Sequence, residues 1–278
     1  MKKTITISLG FLFVFLAGAR AQQGKWGRNS LGISAGWQQL KFLDEHASPL
    51  LYQASSKPFV GLNYTHSGFR SYFSVKASGG MGSANPGRFG ARDYRVRWNE
   101  KDSFQYQISS LFAHAQLEAT YLRKLHPSSG GPLGYWLGGT LSEQAYYADE
   151  VANMPWVVNA AEFSPAFKID YLPHARHLFS IKIDFAGIAL LTRNVYGLFA
   201  KSNNENNVMA HLKQGTRLNS LHRYQKVNVE LNYTAHVSNR IALGATYGLK
   251  WLHYSYPKPL RAVDSRFYLN LNYAIHQK

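Results

Sequence analysis

Two acidic clusters contain the residue types that hydrolytic catalysis requires. Asp44, Glu45 and His46 are consecutive, and Asp149 and Glu150 are neighbours later in the chain. A carboxylate beside an imidazole can position a water molecule and remove its proton. Short acidic clusters are also ordinary in solvent-exposed loops. The clusters therefore make a hydrolase one hypothesis, but they assign no catalytic residue.

A basic and aromatic segment follows a glycine-rich stretch between residues 78 and 102. Guanidinium groups pair with phosphates, and they also stack with aromatic rings, which in turn pack against sugars. The segment therefore predicts a binding surface for phosphorylated or glycan ligands. Its candidate binding residues are Arg88, Arg92, Tyr94, Arg95, Arg97 and Trp98.

Neither a metal nor a cofactor is predicted. The chain contains eleven histidines, and their spacing is not typical of a metal site. It contains no cysteine, which excludes disulfides and thiolate metal centres.

The final segment, RFYLNLNYAIHQK at residues 266–278, alternates apolar and polar side chains. Successive side chains of a strand point to opposite faces, so this segment would separate two different environments. The same alternation recurs along the chain, in about ten runs altogether. The earlier runs cover residues 31–38, 60–65, 69–77, 111–121, 133–142, 162–171, 179–186, 226–233 and 241–251. An all-β fold is predicted, either a transmembrane barrel or a soluble sandwich.

The lengths of the connections favour the barrel. Short connections at residues 66–68, 123–132, 172–176 and 236–239 alternate with longer ones. The longer ones cover residues 43–57, 79–102, 146–156, 189–223 and 253–265. Transmembrane barrels have short periplasmic turns and long outer loops, whereas a soluble sandwich has no reason to sort its loops in this way. The predicted fold is a single antiparallel barrel of about ten strands, within a range of roughly 8 to 12.

The N-terminus has the three parts of a secretory signal peptide. Lys2 and Lys3 precede an apolar run, and Ala19-Arg20-Ala21 fits a cleavage site. We expect residues 1–21 to be removed, residues 22–28 to form a short N-terminal segment, and residues 29–278 to form the barrel. The formal net charge of +16 makes anionic lipid, lipopolysaccharide or acidic glycan the expected partner. Nucleic acid is not an expected partner of an exported protein.

The signal peptide, the alternation, the sorted loops and the terminal strand together resemble small Gram-negative outer-membrane β-barrel proteins. The resemblance covers residues 29–278 and implies an integral outer-membrane location. The chain departs from that pattern because it continues through His276, Gln277 and Lys278 instead of ending on an aromatic residue.

A barrel of about ten strands has a narrow interior that side chains can fill. The alternation would direct a set of charged residues of both signs into this lumen, and buried charges require partners. We therefore predict a side-chain plug built from ion pairs. The predicted members are His114, Glu118, Glu162, Lys168, Asp170, Lys182, Asp184, Glu230, Lys250 and Arg266.

The function predicted from these features is non-enzymatic, with outer loops that contact lipopolysaccharide, a glycan or another envelope protein. A narrow pore for small solutes is the first alternative, and the second is an outer-leaflet hydrolase. The chain resembles omptin proteases in strand count, and His236-Val237-Ser238-Asn239 matches a motif of lipid A deacylases. That match lies in a predicted periplasmic hairpin, and residues 240–251 contain no carboxylate that could orient the histidine.

Overall fold

A computed structural model describes residues 29–87, 92–97, 103–108, 110–125, 131–151, 154–174, 176–193, 213 and 215–276. Within these residues the chain forms fourteen strands. They are β1 (Asn29–Asp44), β2 (Leu51–Ser67), β3 (Ser71–Pro86), β4 (Arg92–Arg97), β5 (Ser103–Ile108), β6 (Ser110–Lys124), β7 (Leu133–Val151), β8 (Met154–His174), β9 (His177–Phe185), β10 (Ile188–Arg193), β11 (Thr216–Ser220), β12 (Tyr224–His236), β13 (Ile241–Tyr254) and β14 (Leu260–His276). No helix among the described residues is long and apolar enough to cross a membrane.

Ten of the strands form a closed antiparallel barrel, as the sequence predicts. Each of these ten barrel strands pairs with its neighbours in the order β1, β2, β3, β6, β7, β8, β9, β12, β13 and β14. The barrel closes where β14 pairs with β1 over the whole of β1, from Asn29 opposite His276 to Asp44 opposite Leu260. Strand β10 continues β9 along β8, and β11 pairs with β10. Within the described part of the chain, strands β4 and β5 pair with each other in a two-stranded antiparallel sheet.

The outer wall of the barrel carries an apolar belt. In β1 the outward positions of this belt are Leu31, Ile33, Ala35 and Trp37, and the residues between them face inward. Tyr64, Tyr135 and Tyr273 are exposed or partly exposed near the end that has the short turns and both termini. Exposed aromatic residues beside an apolar band are typical of the interfaces of a membrane barrel.

The inward face changes character along each strand. In β1, Gly32, Ser34, Gly36 and Gln38 face the lumen beside the apolar belt, whereas Leu40 and Phe42 face it farther out. The outward face changes in the opposite sense, because Gln39 and Lys41 follow Trp37. Beyond the belt β1 therefore has an apolar inward face and a polar outward face, as in a water-soluble protein.

The strands extend farther outward than the alternation in the sequence indicates. Three of the five connections predicted to be long contain only residues 45–50, 152–153 and 255–259 between strands. Apolar residues move from outward to inward positions at the edge of the belt, and in the sequence this shift of phase resembles the end of a strand. The long connections that remain are residues 87–109, which include the β4–β5 hairpin, and residues 194–215.

Candidate functional site

All ten predicted lumen residues lie on the inward face of the barrel. Nine of them are buried, and Glu230 is partly exposed. They form several groups of contacts at the level of the apolar belt, and two of these groups span the lumen.

The first group surrounds Lys182. Its Nζ lies 2.5 Å from Glu118 Oε1 on β6, three strands away around the wall, and 3.8 Å from both Glu230 Oε2 and Asp184 Oδ2. Lys76 Nζ lies 3.6 Å from Glu230 Oε1 and also donates to the Tyr268 hydroxyl. Two lysines and three carboxylates therefore connect β3, β6, β9 and β12 across the lumen.

The second group surrounds Glu162. Its carboxylate pairs with Lys226 and accepts hydrogen bonds from Ser142 Oγ at 2.9 Å and from Tyr224 Oη at 2.9 Å. Lys226 Nζ also lies 3.8 Å from Asp184 Oδ1, which joins this group to the first one.

The third group surrounds Asp264. Its Oδ2 lies 2.5 Å from Arg266 Nη2 and 3.8 Å from Lys250 Nζ, and accepts from Tyr146 Oη at 2.9 Å. Gln38 Nε2 donates to both carboxylate oxygens at 3.0 Å. Arg266 also donates to Gln116 across the lumen, and its Nη2 lies 3.3 Å from His114 Nε2. The remaining predicted pair, Lys168 and Asp170, is 3.1 Å apart nearer the periplasmic end.

Three charged members of these groups, Lys76, Lys226 and Asp264, are not among the ten predicted residues. Lys226 shares its inward phase with Asn228 and Glu230, so the alternation of β12 contained the signal. Asp264 lies in β14, in a stretch that the sequence assigned to an outer loop. Its inward position follows only from the full length of that strand.

An apolar core fills the outer half of the lumen. It includes Phe42, whose ring stacks on Trp156 with centroids 4.1 Å apart and on Tyr52 at 5.4 Å. Leu40, Phe112 and Tyr254 are other buried members. Strands from every part of the wall contribute, with residues from β1, β2, β3, β6, β7, β8, β10, β12, β13 and β14. This apolar plug, as we call the cluster, lies above the charged groups.

A buried ion pair lies at the outer edge of the apolar plug. The Asp44 carboxylate pairs with Arg193 and accepts a hydrogen bond from Trp156 Nε1 at 2.7 Å. Arg193 Nη1 donates to the carbonyls of Tyr256 at 2.9 Å and Lys258 at 2.7 Å. The pair therefore joins the β1–β2 turn, β8, β10 and the β13–β14 turn.

The two acidic clusters that suggested hydrolysis have structural contacts. Asp44 is buried in the pair with Arg193, and Asp149 Oδ1 accepts from Ser110 Oγ at 2.8 Å. Burial, and secondarily the charge of Arg193, lower the pKa of His46. The Glu150 side chain lies outside the described residues. Within the described part of the chain, no group of three or more histidine, aspartate and glutamate residues could hold a metal ion.

The motif shared with lipid A deacylases lies in the periplasmic β12–β13 turn, as predicted. Ser238 Oγ accepts from the backbone amides of Arg240 at 3.2 Å and Ile241 at 3.1 Å. The Val237 amide donates to the Ile241 carbonyl at 3.0 Å. These are the contacts of a serine that stabilises a tight turn.

The predicted binding segment is described only in part. Arg92, Tyr94, Arg95 and Arg97 belong to β4, whose backbone pairs with β5. Arg88 and Trp98 lie outside the described residues, as do residues 1–21 and 22–28.

No protein-family model and no curated protein matches the chain. Solved structures with a similar backbone include Neisserial surface protein A, at 9% identity and a TM-score of 0.36, over 88% of this chain and 97% of that one. The outer membrane protease OmpT from Escherichia coli is similar at 8% identity and a TM-score of 0.42, over 89% and 95%. The P. putida toluene transporter TodX is similar at 9% identity and a TM-score of 0.34, over 89% of each chain. A closed antiparallel barrel with an apolar outer belt is the architecture of Gram-negative outer-membrane β-barrels.

Proposed function

We propose that the chain is a non-enzymatic integral outer-membrane protein with a sealed lumen, whose outer loops contact lipopolysaccharide, a glycan or another envelope protein. The apolar plug is the observation that carries this proposal. Its members come from all sides of the barrel and include three stacked aromatic rings, Tyr52, Phe42 and Trp156. A hydrated path would have to displace these side chains, because ions and polar solutes lose their hydration at great cost in apolar surroundings.

The charged groups below the plug also support a sealed barrel. A pore lined for conduction leaves charges free to meet a passing ion, whereas Lys182, Glu162 and Asp264 each contact several protein partners. The same engagement argues against a hydrolytic site in the lumen. We assign these residues a structural role.

Conductance in planar bilayers tests the sealed lumen. We expect no unitary conductance from the refolded wild-type protein. The matched variant is Phe42→Ala/Phe112→Ala/Trp156→Ala, which removes three rings of the plug and should produce measurable channels. Stable unitary conductance from the wild-type protein would instead support the alternative of a narrow pore.

Lipopolysaccharide binding tests the outer surface. The variant Arg92→Ala/Arg95→Ala/Arg97→Ala removes three cations from β4, and we expect affinity to fall by about tenfold, because each lost charge contact weakens binding modestly. The control Arg123→Ala/Arg176→Ala/Arg240→Ala removes three exposed cations at the opposite end of the barrel. Equal losses in both variants would indicate unspecific attraction to net charge and would contradict a site at the outer end.

A further inference from the structure

A groove of about 810 Å³ crosses the lipid-facing wall over β1, β2, β3, β6 and β7. Outward residues with small side chains, Ala35, Ala77 and Ala115, line it. Leu62 and Leu117 project beside them and are 64% and 52% exposed. The groove is therefore an apolar depression within the belt, bordered by larger apolar side chains.

A bulge in β2 places a cation beside the groove. Pairing between β2 and both of its neighbours shifts between Ser56 and Phe59, and Lys57 and Pro58 are both exposed. A bulge lets two consecutive residues point to the same face. Lys57 consequently points outward near Trp37 of β1, close to Val60, which lines the groove. Lys41 is exposed farther out on β1.

The opposite end of the groove carries a negative charge. Glu143 of β7 lines that end, is exposed, and accepts a hydrogen bond from Asn159 at 3.3 Å. The charges at the two ends have opposite signs, so an anionic group would be attracted to the β1–β2 end and repelled from β7. The groove has the features of a site for a molecule with an apolar tail and an anionic head.

We propose that this groove binds an acyl chain of a phosphorylated outer-leaflet lipid, with its phosphate beside Lys57 and Lys41. The inference rests on the outer-membrane location proposed above. A flexible acyl chain can follow a shallow concave groove. A second copy of the barrel would present a convex wall, which meets the borders of the groove and leaves its floor uncovered. Burial of the tail and pairing of the phosphate with lysine would both favour binding.

Native mass spectrometry of the delipidated, folded full-length protein, titrated with bis-phosphorylated lipid A, tests the apolar part of the site. The variant Ala77→Phe/Ala115→Phe fills the groove, and we expect lipid A affinity to fall about tenfold or more. The control Ala245→Phe makes the same change at an outward position of β13, away from the groove. A folded Ala77→Phe/Ala115→Phe variant that binds like the wild type would overturn the proposal, as would an equal loss in Ala245→Phe.

The charged part of the site is tested with Lys41→Gln/Lys57→Gln. We expect lipid A binding to weaken by about threefold to tenfold, while binding of uncharged diacylglycerol stays unchanged. Equal losses for both lipids would contradict the phosphate contact. If the wild-type protein forms a dimer that the Ala77→Phe/Ala115→Phe variant does not form, the occupant of the groove is a second copy of the chain and not a lipid. Conductance of the wild-type protein would refute the sealed lumen, but it would not change the outcome of these lipid-binding measurements, so the two proposals can fail independently.

Discussion

Asp44 is the residue where the contacts at the outer end of the barrel converge. It is 2% exposed and pairs with Arg193, whose side chain is equally enclosed. Arg193→Ala would leave a buried carboxylate without its cation and two carbonyls without their donor. We expect unfolding to become easier by about 3–5 kcal/mol, the usual cost of breaking a buried pair. Urea titration of the folded protein, followed by tryptophan fluorescence, measures this cost.

A solvent-exposed pair in the same region provides the control. Arg261 Nη2 lies 4.0 Å from Glu45 Oε1, and both side chains are largely exposed. Arg261→Ala should therefore cost about 1 kcal/mol or less. Similar costs for Arg193→Ala and Arg261→Ala would contradict a stabilising role for the buried pair.

His236, at the periplasmic end of β12, makes stability depend on pH. Burial, and secondarily the neighbouring His177, lower the pKa of His236 to about 4 from its ordinary value of 6.5. As pH falls, the unfolded chain binds a proton at His236 before the folded protein does. The stability that neutral His236 contributes is therefore complete above about pH 6.5 and is lost by about pH 4. We expect His236→Gln to reduce the loss of stability across this window. The exposed His222→Gln is the control, and identical pH profiles for wild type and His236→Gln would contradict the prediction.

At the scale of single residues, the sequence predicts inward charges well wherever the outward neighbours are apolar. Lys182 and Asp184 illustrate this, because Ile181, Ile183 and Phe185 identify the outward face of β9. Asp44 lies where the outward Lys41 is polar and the inward Phe42 is apolar, whereas Arg193 follows residues 188–191, which are apolar on both faces. Neither stretch shows the alternation of the belt, so the pattern assigns both residues to loops. Their partnership also joins positions far apart in sequence, which alternation within a strand cannot indicate.

At the scale of strands, the interstrand distance across the closing pair depends on Gly36. A Cβ atom there would lie 2.0 Å from the carbonyl oxygen of Phe267 and 2.5 Å from the Cα of Tyr268. Glycine in a strand often marks such a close approach of another backbone. Gly36→Ala should therefore force β1 away from β14 and destabilise the barrel by about 1–3 kcal/mol, the typical cost of overpacking.

Gly131 provides the matched control for Gly36. No atom lies within 4 Å of a Cβ added at Gly131, which is in the connection between β6 and β7. Gly131→Ala should change stability by about 0.5 kcal/mol or less. Urea titrations of the two variants compare them directly, and equal stabilities would show that β1 and β14 tolerate the extra carbon.

The ten barrel strands were predictable, whereas their lengths and the four further strands β4, β5, β10 and β11 were not. The ten barrel strands follow from the period-two alternation that a lipid-facing wall requires. Beyond the belt, water replaces lipid as the outer environment, and the apolar positions move to the inward face, as Leu40 and Phe42 show in β1. An interpretation that expects the apolar residues to stay on one face of the strand therefore ends the strand at the edge of the belt.

At the scale of the whole molecule, the barrel should behave as one resistant unit. Each of the ten barrel strands pairs with a barrel strand on both sides, so this circuit has no edge strand at which unfolding could begin. Strand β11, whose pairing among the described residues is with β10 alone, lies outside the circuit. We expect the protein in the outer-membrane fraction and an electrophoretic mobility that changes only on boiling. A protein found in the soluble fraction, with the same mobility before and after boiling, would contradict the membrane location.

The pairing of β1 with β14 also has a consequence for biosynthesis. These strands stand at opposite ends of the described barrel sequence, and Leu260 of β14 packs in the same cluster as Leu40 and Phe42 of β1. Contacts between distant parts of a chain form slowly, because long loops must close first. The complete set of contacts in the apolar plug can therefore form only after β14 has been synthesised and has reached the barrel. Until then its aromatic rings remain exposed, which is a feature that periplasmic chaperones and proteases can recognise in an unfinished chain.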